Sequence, residues 1–370
     1  MDTANRMTDA RKKLQIEGNF PMQRGSLQDP VIAYETWGSL NSTKNNAVLL
    51  FTGLSPSAHA ASSTIDPSTG WWEDVIGPDK PIDTNEYFVI CVNSLGSCFG
   101  STGPASVNPS TGTRYGLDFP VLCLEDIAQA GQLVVKDFSI KKLHSVVGAS
   151  MGGMTALAFC LMYPDLTKNL LSISSAARSL PFSIALRSLQ REMVRSDSAW
   201  KFGDYNPNNP PAEGMRLARK LGMISYRSAE EWTIRFGRER TTDTEGDEHA
   251  SPFGIDFEIE SYLQAHALKF TGTFDANCYL YLSRAMDLFD AADHGGSLQS
   301  AFARTKLSRA LVIGVRTDFL FPPIQQEELA NALKECGVDT EFQLLESLQG
   351  HDSFLVDMDR FRPAISKFFL

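Results

Sequence analysis

Five short apolar runs recur along the chain, each bounded by turn residues: "NAVLLFTG" (46–53), "EYFVICVNS" (86–94), "LHSVVGAS" (143–150), "RALVIGVRTD" (309–318) and "EFQLLES" (341–347). They are rich in Val, Ile, Leu and Phe without strict polar alternation, as expected of strands covered on both faces. Between several of them the period lengthens to that of a helix, in "DIAQAGQLVVKDF" (126–138), "MTALAFCLMYP" (154–164) and "QQEELANALKECG" (325–337), the last stopped by Gly337. Strand alternating with helix predicts an α/β protein built on a mostly parallel sheet flanked by helices.

From about residue 180 to 300 the texture changes. Strand signals fade, and amphipathic helices such as "FSIALRSLQREMVR" (182–195) and "EGMRLARKLGMISY" (213–226) dominate. They are separated by "FGDYNPNNPPAEG" (202–214) and "RERTTDTEGDEHASPFG" (238–254), polar stretches expected to be solvated connectors. The expected organisation is a discontinuous core of residues 1–179 and 300–370, interrupted by a helical lid over 180–299. There is no internal repeat and no low-complexity tract.

Composition narrows the class. The 370 residues are ample for a buried core, and 43% hydrophobic with 21% charged residues is ordinary for a globular protein. A formal charge of −10, with no densely basic stretch, argues against nucleic acid as a partner. An anionic substrate would need local Arg or Lys groups. The six cysteines are scattered, with no C-x-x-C and no Cys/His cluster, so neither a metal nor a disulfide framework is expected. The stretch "MDTANRMTDARKKLQIEG" has no apolar segment after its charges, and no run has the ~20 apolar residues of a membrane span. A cytoplasmic protein with reduced thiols is expected.

The candidate chemistry centres on "GASMGGMTALAF" (148–159), where Gly148-Ala149-Ser150-Met151-Gly152 falls between a strand-like and a helix-like run. In such a G-x-S-x-G turn the serine takes strained backbone angles, and its small neighbours let helix and strand pass closely. A serine hydroxyl then needs a base, and the base a carboxylate, in the chain order Ser, Asp, His on this architecture. Asp318 ends one apolar run and His351 follows another, both at the expected place. His59, in "SPSAHAASS", is read as a pocket-wall or packing residue; His144, His249, His266 and His294 are read as structural. The oxyanion hole is expected from the N–H of Met151 and a second N–H near Leu54.

With these residues in place the sequence resembles the homoserine O-acyltransferase family, whose members have the α/β-hydrolase fold. The resemblance is carried by "AYETWGSLN" (33–41), "GWWEDVIGPDKPIDTNEYFVICVNSLGSCFGSTGPASVNPSTG" (70–112), "YGLDFP" (115–120), "VVGASMGGMTAL" (146–157) and "QGHDSFLVD" (349–357). "FTGLSPSAHAA", "SLPFSIALRSLQRE", "ARKLGMISYRSAEEW" and "ANCYLYLSRAMDLFD" are similar to its serine O-succinyltransferase members. The resemblance implies Ser150, Asp318 and His351 as a triad and Leu54 as an oxyanion donor. It further implies Arg219 for the acceptor amino acid's carboxylate and Asp352 for its ammonium. An Arg fork and a carboxylate are natural complements of those charges. Homoserine-acetylating members read L-T-G before A-H where this chain has Leu54-Ser55-Pro56-Ser57, a stiffer loop suited to a shorter acceptor. Arg187 suits the free carboxylate of a succinyl group, and Arg191, one turn along, competes for that role.

The implied reaction is ping-pong transfer from an acyl-CoA co-substrate to an amino-acid hydroxyl, with no resident cofactor, in cysteine or methionine biosynthesis. The family also implies a homodimer. Left open are acetyl-CoA in place of succinyl-CoA, L-homoserine in place of L-serine, a serine esterase or thioesterase of the same fold, and a catalytically silent binding protein.

Overall fold

The computed structural model describes residues 10–241 and 252–370. Eight strands form its central sheet: β1 (Lys12–Gln15), β4 (Val31–Trp37), β5 (Ala47–Phe51), β8 (Phe88–Val92), β9 (Leu143–Ala149), β10 (Thr167–Ile173), β11 (Arg309–Val315) and β12 (Asp339–Leu345). Two small ribbons complete the strands, β2 (Asn19–Met22) with β3 (Gly25–Gln28) and β6 (Ile76–Gly77) with β7 (Ile82–Asp83). The spatial order is β1-β4-β8-β5-β9-β10-β11-β12. β4 runs antiparallel to both β1 and β8, and from β8 to β12 every pairing is parallel.

Side-chain alternation explains the unbroken apolar runs. On β5, Ala47, Leu49 and Phe51 enter one core while Val48 and Leu50 enter the other. On β8, Phe88, Ile90 and Val92 again oppose Val89 and Cys91. Both faces are dry, so each position must be apolar. One face is covered by α1 (Leu124–Asp137), α2 (Met151–Met162) and α9 (Pro323–Glu335). The other is covered by α10 (Ser353–Val356) and α11 (Met358–Phe369) together with Trp72, Val75, Ile76 and Ile82. Fully burying each large side chain there is worth about 1.5–3 kcal/mol. α2 is buried from Met151 through Leu161, which is why its sequence has almost no polar face.

Between β10 and β11 lie α3 (Pro181–Ser196), α4 (Ala212–Tyr226), α5 (Ala229–Phe236), α6 (Glu258–Phe270), α7 (Ala276–Leu288) and α8 (Leu298–Phe302). α3 packs on α4 and α7, α4 on α6, and α8 on α9. The 202–214 stretch departs from a solvated connector. It buries Gly203 and Tyr205, and the Tyr205 hydroxyl donates to Asp275 Oδ2 at 2.6 Å. Much of the 238–254 stretch, including His249, lies outside the described residues. All six cysteines are free thiols; Cys98 and Cys336 are half-buried and the others buried. Among the described residues no helix is long and apolar enough to cross a membrane, and no three His, Cys, Asp or Glu side chains are grouped to hold a metal ion.

Candidate active site

Ser150 stands between β9 and α2 with φ 56° and ψ −125°, angles that L-residues seldom adopt. Its N–H donates to the Ile173 carbonyl at 2.9 Å, tying the turn to the neighbouring strand. The small flanking residues are required by contact. A Cβ on Gly148 would lie 2.1 Å from the Gly152 oxygen, and one on Gly152 would lie 2.3 Å from the Phe51 oxygen. The strained turn thus lifts the serine hydroxyl to the carboxyl end of the sheet.

Two loops from later strands meet it there. His351 Nε2 lies 2.7 Å from Ser150 Oγ, and its Nδ1 lies 2.8 Å from Asp318 Oδ2. The second carboxylate oxygen of Asp318 accepts the Leu320 and Phe321 N–H groups at 3.0 and 2.9 Å. That carboxylate is therefore fixed independently of the histidine. The imidazole is stacked on Phe321, with ring centres 5.1 Å apart, and meets the Phe354 ring edge-on at 5.8 Å. Gly350, at φ 65°, allows the close approach of the Tyr226–Ser228 backbone just before it. Burial disfavours the imidazolium of His351. The charge and hydrogen bond of Asp318 outweigh this, with Asp352 adding and Arg187 opposing, and leave its pKa above the ordinary histidine value.

A pocket opens over Ser150 and His351, walled by Gly53, Leu54, Ser55, Pro56, Trp71, Arg187, Tyr226 and Asp352 among others. Leu54 follows β5 as the sequence order requires, and Met151 is the first residue of α2. Leu54 and Ser150 line the same pocket, and Met151 is Ser150's immediate neighbour in the chain. Met151's side chain is fully buried away from the pocket wall.

The charged candidates divide. Arg187 is no exposed helix charge: it is 4% exposed and forms part of the pocket wall. Its Nε is 2.6 Å from Asp287 Oδ1, and an Nη donates to Ser179 Oγ at 2.6 Å. Arg191 does not line the pocket and contacts the other oxygen of Asp287 at 2.6 Å. Asp352 is in the wall, with Arg227 Nε 3.4 Å away; burial raises its pKa, against the opposing pull of Arg227. Arg219 is set back from the wall. Its guanidinium sits over the Phe270 ring at 4.6 Å and over the Tyr226 ring at 6.0 Å. Its buried Nε has no hydrogen-bond partner among the described residues.

Sequence reasoning missed Asp287, Arg227 and Tyr226. "RAMDLFD" and "MISYRS" contain no spacing that marks them, and only the packing of α3, α4 and α7 brings them to the site. His59 is 2.8 Å from Glu35 Oε2 and 2.9 Å from the Ser68 carbonyl. Arg11 reaches both Glu35 and Ser57, each at 3.2 Å, so a buried ionic cluster lies under the 54–59 loop. His144 packs against Tyr87 and Phe369, His266 against Tyr262, and His294 lies 3.1 Å from Glu125. None of these meets Ser150.

Residues 46–357 match the family described as alpha/beta hydrolase fold. Over 364 residues the chain is 56% identical to serine O-succinyltransferase of Litchfieldella anticariensis, covering 98% of this chain and 99% of that relative. A crystal structure of homoserine O-acetyltransferase from Bacillus anthracis is similar at a TM-score of 0.89 and 28% identity, over 97% of this chain and 96% of that one. Esterase E22 is similar at 0.87 and 27% identity, over 97% of this chain and 99% of that one. The chain belongs to the alpha/beta hydrolase fold family and, within it, to the homoserine O-acyltransferases, alongside their serine O-succinyltransferase members. It is accordingly an acyl-transferring enzyme.

Proposed function

We propose that the enzyme transfers a succinyl group from succinyl-CoA to the hydroxyl of L-serine through a covalent intermediate on Ser150. His351, held by Asp318, removes the Ser150 proton as Oγ attacks the thioester carbonyl. The N–H groups of Leu54 and Met151 receive the oxyanion, a stabilisation worth about 3 kcal/mol per donor. His351 returns the proton to the departing CoA thiolate. L-Serine then enters, and His351 takes its hydroxyl proton as that oxygen attacks the acyl carbonyl. The second tetrahedral intermediate collapses to O-succinylserine as His351 returns the proton to the departing Ser150 Oγ.

The observation that carries this reading is the unbroken Ser150–His351–Asp318 chain of contacts at 2.7 and 2.8 Å, in a pocket whose wall also bears Arg187 and Asp352. Arg187 would pair the free carboxylate of the succinyl group. Arg219 and Asp352 would take the carboxylate and ammonium of the acceptor. The unpartnered Arg219 Nε supports its role. Holding the acceptor in attacking geometry makes effective molarities of about 10⁵ M or more accessible, enough to outcompete water. Residues 180–299 act as the lid that excludes water, over a core of 1–179 and 300–370. The enzyme works in the cytoplasm as a homodimer, with acyl-CoA as co-substrate and no bound cofactor; light scattering tests the dimer.

Esterase E22 shares the fold closely, so hydrolysis is the reading to test against. CoA release is measured with acetyl- and succinyl-CoA, each without acceptor, with L-serine and with L-homoserine. Succinyl-CoA with L-serine should be fastest. Full-rate CoA release without any acceptor would make the protein a thioesterase, and a preference for acetyl-CoA or homoserine would reassign the substrates.

A further inference from the structure

Arg187 and Arg191 stand four residues apart on α3, a like-charged spacing that is unfavourable unless something lies between them. What lies between is Asp287 of α7, whose side chain is only 1% exposed. Its Oδ1 faces Arg187 Nε and its Oδ2 faces an Nη of Arg191, both at 2.6 Å. Two serines complete the frame. Ser179 donates to the Met286 carbonyl at 2.8 Å and accepts from Arg187, and Ser283 accepts from Arg191 at 2.9 Å. Of the three charged groups, only Arg187 reaches the pocket. Arg284 also approaches Asp287, at 4.0 Å, but its side chain is 54% exposed and screened by water. Elsewhere in the pocket wall the titratable groups are Tyr226, His351 and Asp352.

The charge count gives the arrangement its meaning. Two guanidinium groups against one carboxylate leave a single uncompensated positive charge in a buried wall. With Asp287 and Arg187 alone, the wall would be neutral, and an incoming carboxylate would have to compete with Asp287. We infer that Arg191 and Asp287 are positioning residues that set the acyl-donor selectivity of Arg187: Asp287 fixes its guanidinium through Nε, and Arg191 offsets Asp287 so that the charge of Arg187 is available to a donor carboxylate. This rests on the reading of Arg187 as the residue that meets that carboxylate.

The test compares succinyl-CoA with butyryl-CoA, whose acyl chain has the same four-carbon length with a methyl in place of the carboxylate. The readout is the succinyl-to-butyryl ratio of kcat/KM for acceptor-dependent CoA release. Arg191→Gln, which makes the wall neutral, should lower that ratio by about tenfold or more. Arg191→Gln combined with Asp287→Asn restores one net positive charge and should return the ratio to within about threefold of the parent. A purely structural role would slow both donors together and give no such rescue; an unchanged ratio in Arg191→Gln, or no recovery in the double variant, overturns the inference. Should Arg191→Gln fail to fold, Arg191→Lys keeps the charge and must keep the ratio, and its loss there is equally contradictory. Arg187→Ala separates the two levels. An equal loss with both donors means that the reading of Arg187 itself fails. A selective loss there, with an unchanged ratio in Arg191→Gln, overturns the inference alone.

Discussion

Replacing Asp318 with Asn changes one atom of a carboxylate whose two oxygens have different tasks. Oδ1 accepts two backbone N–H groups, from Leu320 at 3.0 Å and Phe321 at 2.9 Å. An Asn side chain keeps both bonds only if its oxygen occupies that position, which turns its NH₂ toward His351 Nδ1, 2.8 Å away. The opposite orientation forfeits two buried hydrogen bonds at about 1 kcal/mol each and sets NH₂ against two N–H donors, so it offers no relief. Facing a donor, Nδ1 must accept, and the ring proton moves to Nε2. His351 then presents a donor to Ser150 Oγ where the reaction needs an acceptor. The expected loss is about 10⁴-fold in acylation, or about 5.5 kcal/mol at 1.36 kcal/mol per factor of ten. Because the backbone bonds persist, Asp318→Asn should melt close to the parent, whereas Asp318→Ala, which loses both, should melt lower. Single-turnover CoA release, followed with a thiol reagent, measures the step directly. An Asp318→Asn protein that acylates within tenfold of the parent would refute the tautomer reasoning.

Arg219→Ala should slow discharge of the acyl-enzyme to L-serine far more than it slows the first burst of CoA; equal losses in both would remove it from the acceptor site. His351 must be neutral to act as base, and its pKa lies above the ordinary value, so acylation should fall as pH drops through that raised pKa. Asp352→Asn removes a charge that raises it and should move the acid limb of the burst to lower pH; a limb that stays in place would mean Asp352 is not felt there. Gly152→Ala puts a Cβ 2.3 Å from the Phe51 oxygen and should cost at least about 1–3 kcal/mol, seen as a Tm lower by several degrees. An unchanged Tm would show that the elbow has slack.

The strands that the apolar runs predict at 46–53, 86–94, 143–150, 309–318 and 341–347 correspond to β5, β8, β9, β11 and β12. β5, β8, β9 and β11 are buried almost throughout, as strands covered on both faces should be. β12 departs from that expectation: it is the last strand of the sheet, none of its residues is fully buried and Leu344 is exposed. β10 escapes because "TKNLLSI" opens with polar residues and is bracketed by helical signals. β1 escapes because "KKLQ" is a solvated edge with no apolar pattern. That Ser150, Asp318 and His351 would meet was legible because, on this architecture, a G-x-S-x-G turn is followed by its partners in a set order along the chain. The charge partners were not. Asp287 and Arg227 act through helix packing between segments far apart in sequence, and neither local propensity nor spacing encodes which helix faces meet. The 202–214 stretch misleads for a related reason: its polar composition masks Tyr205, whose ring is buried and whose hydroxyl meets Asp275.

The central claim, that Ser150 carries the acyl group and hands it to a chosen acceptor, is tested most directly by intact-mass and peptide mass spectrometry of enzyme mixed with succinyl-CoA alone and then chased with L-serine. One succinyl group should appear on the peptide containing Ser150 and leave as O-succinylserine much faster with L-serine than in buffer. Absence of acylation at Ser150, or discharge at the same rate with and without L-serine, would contradict it.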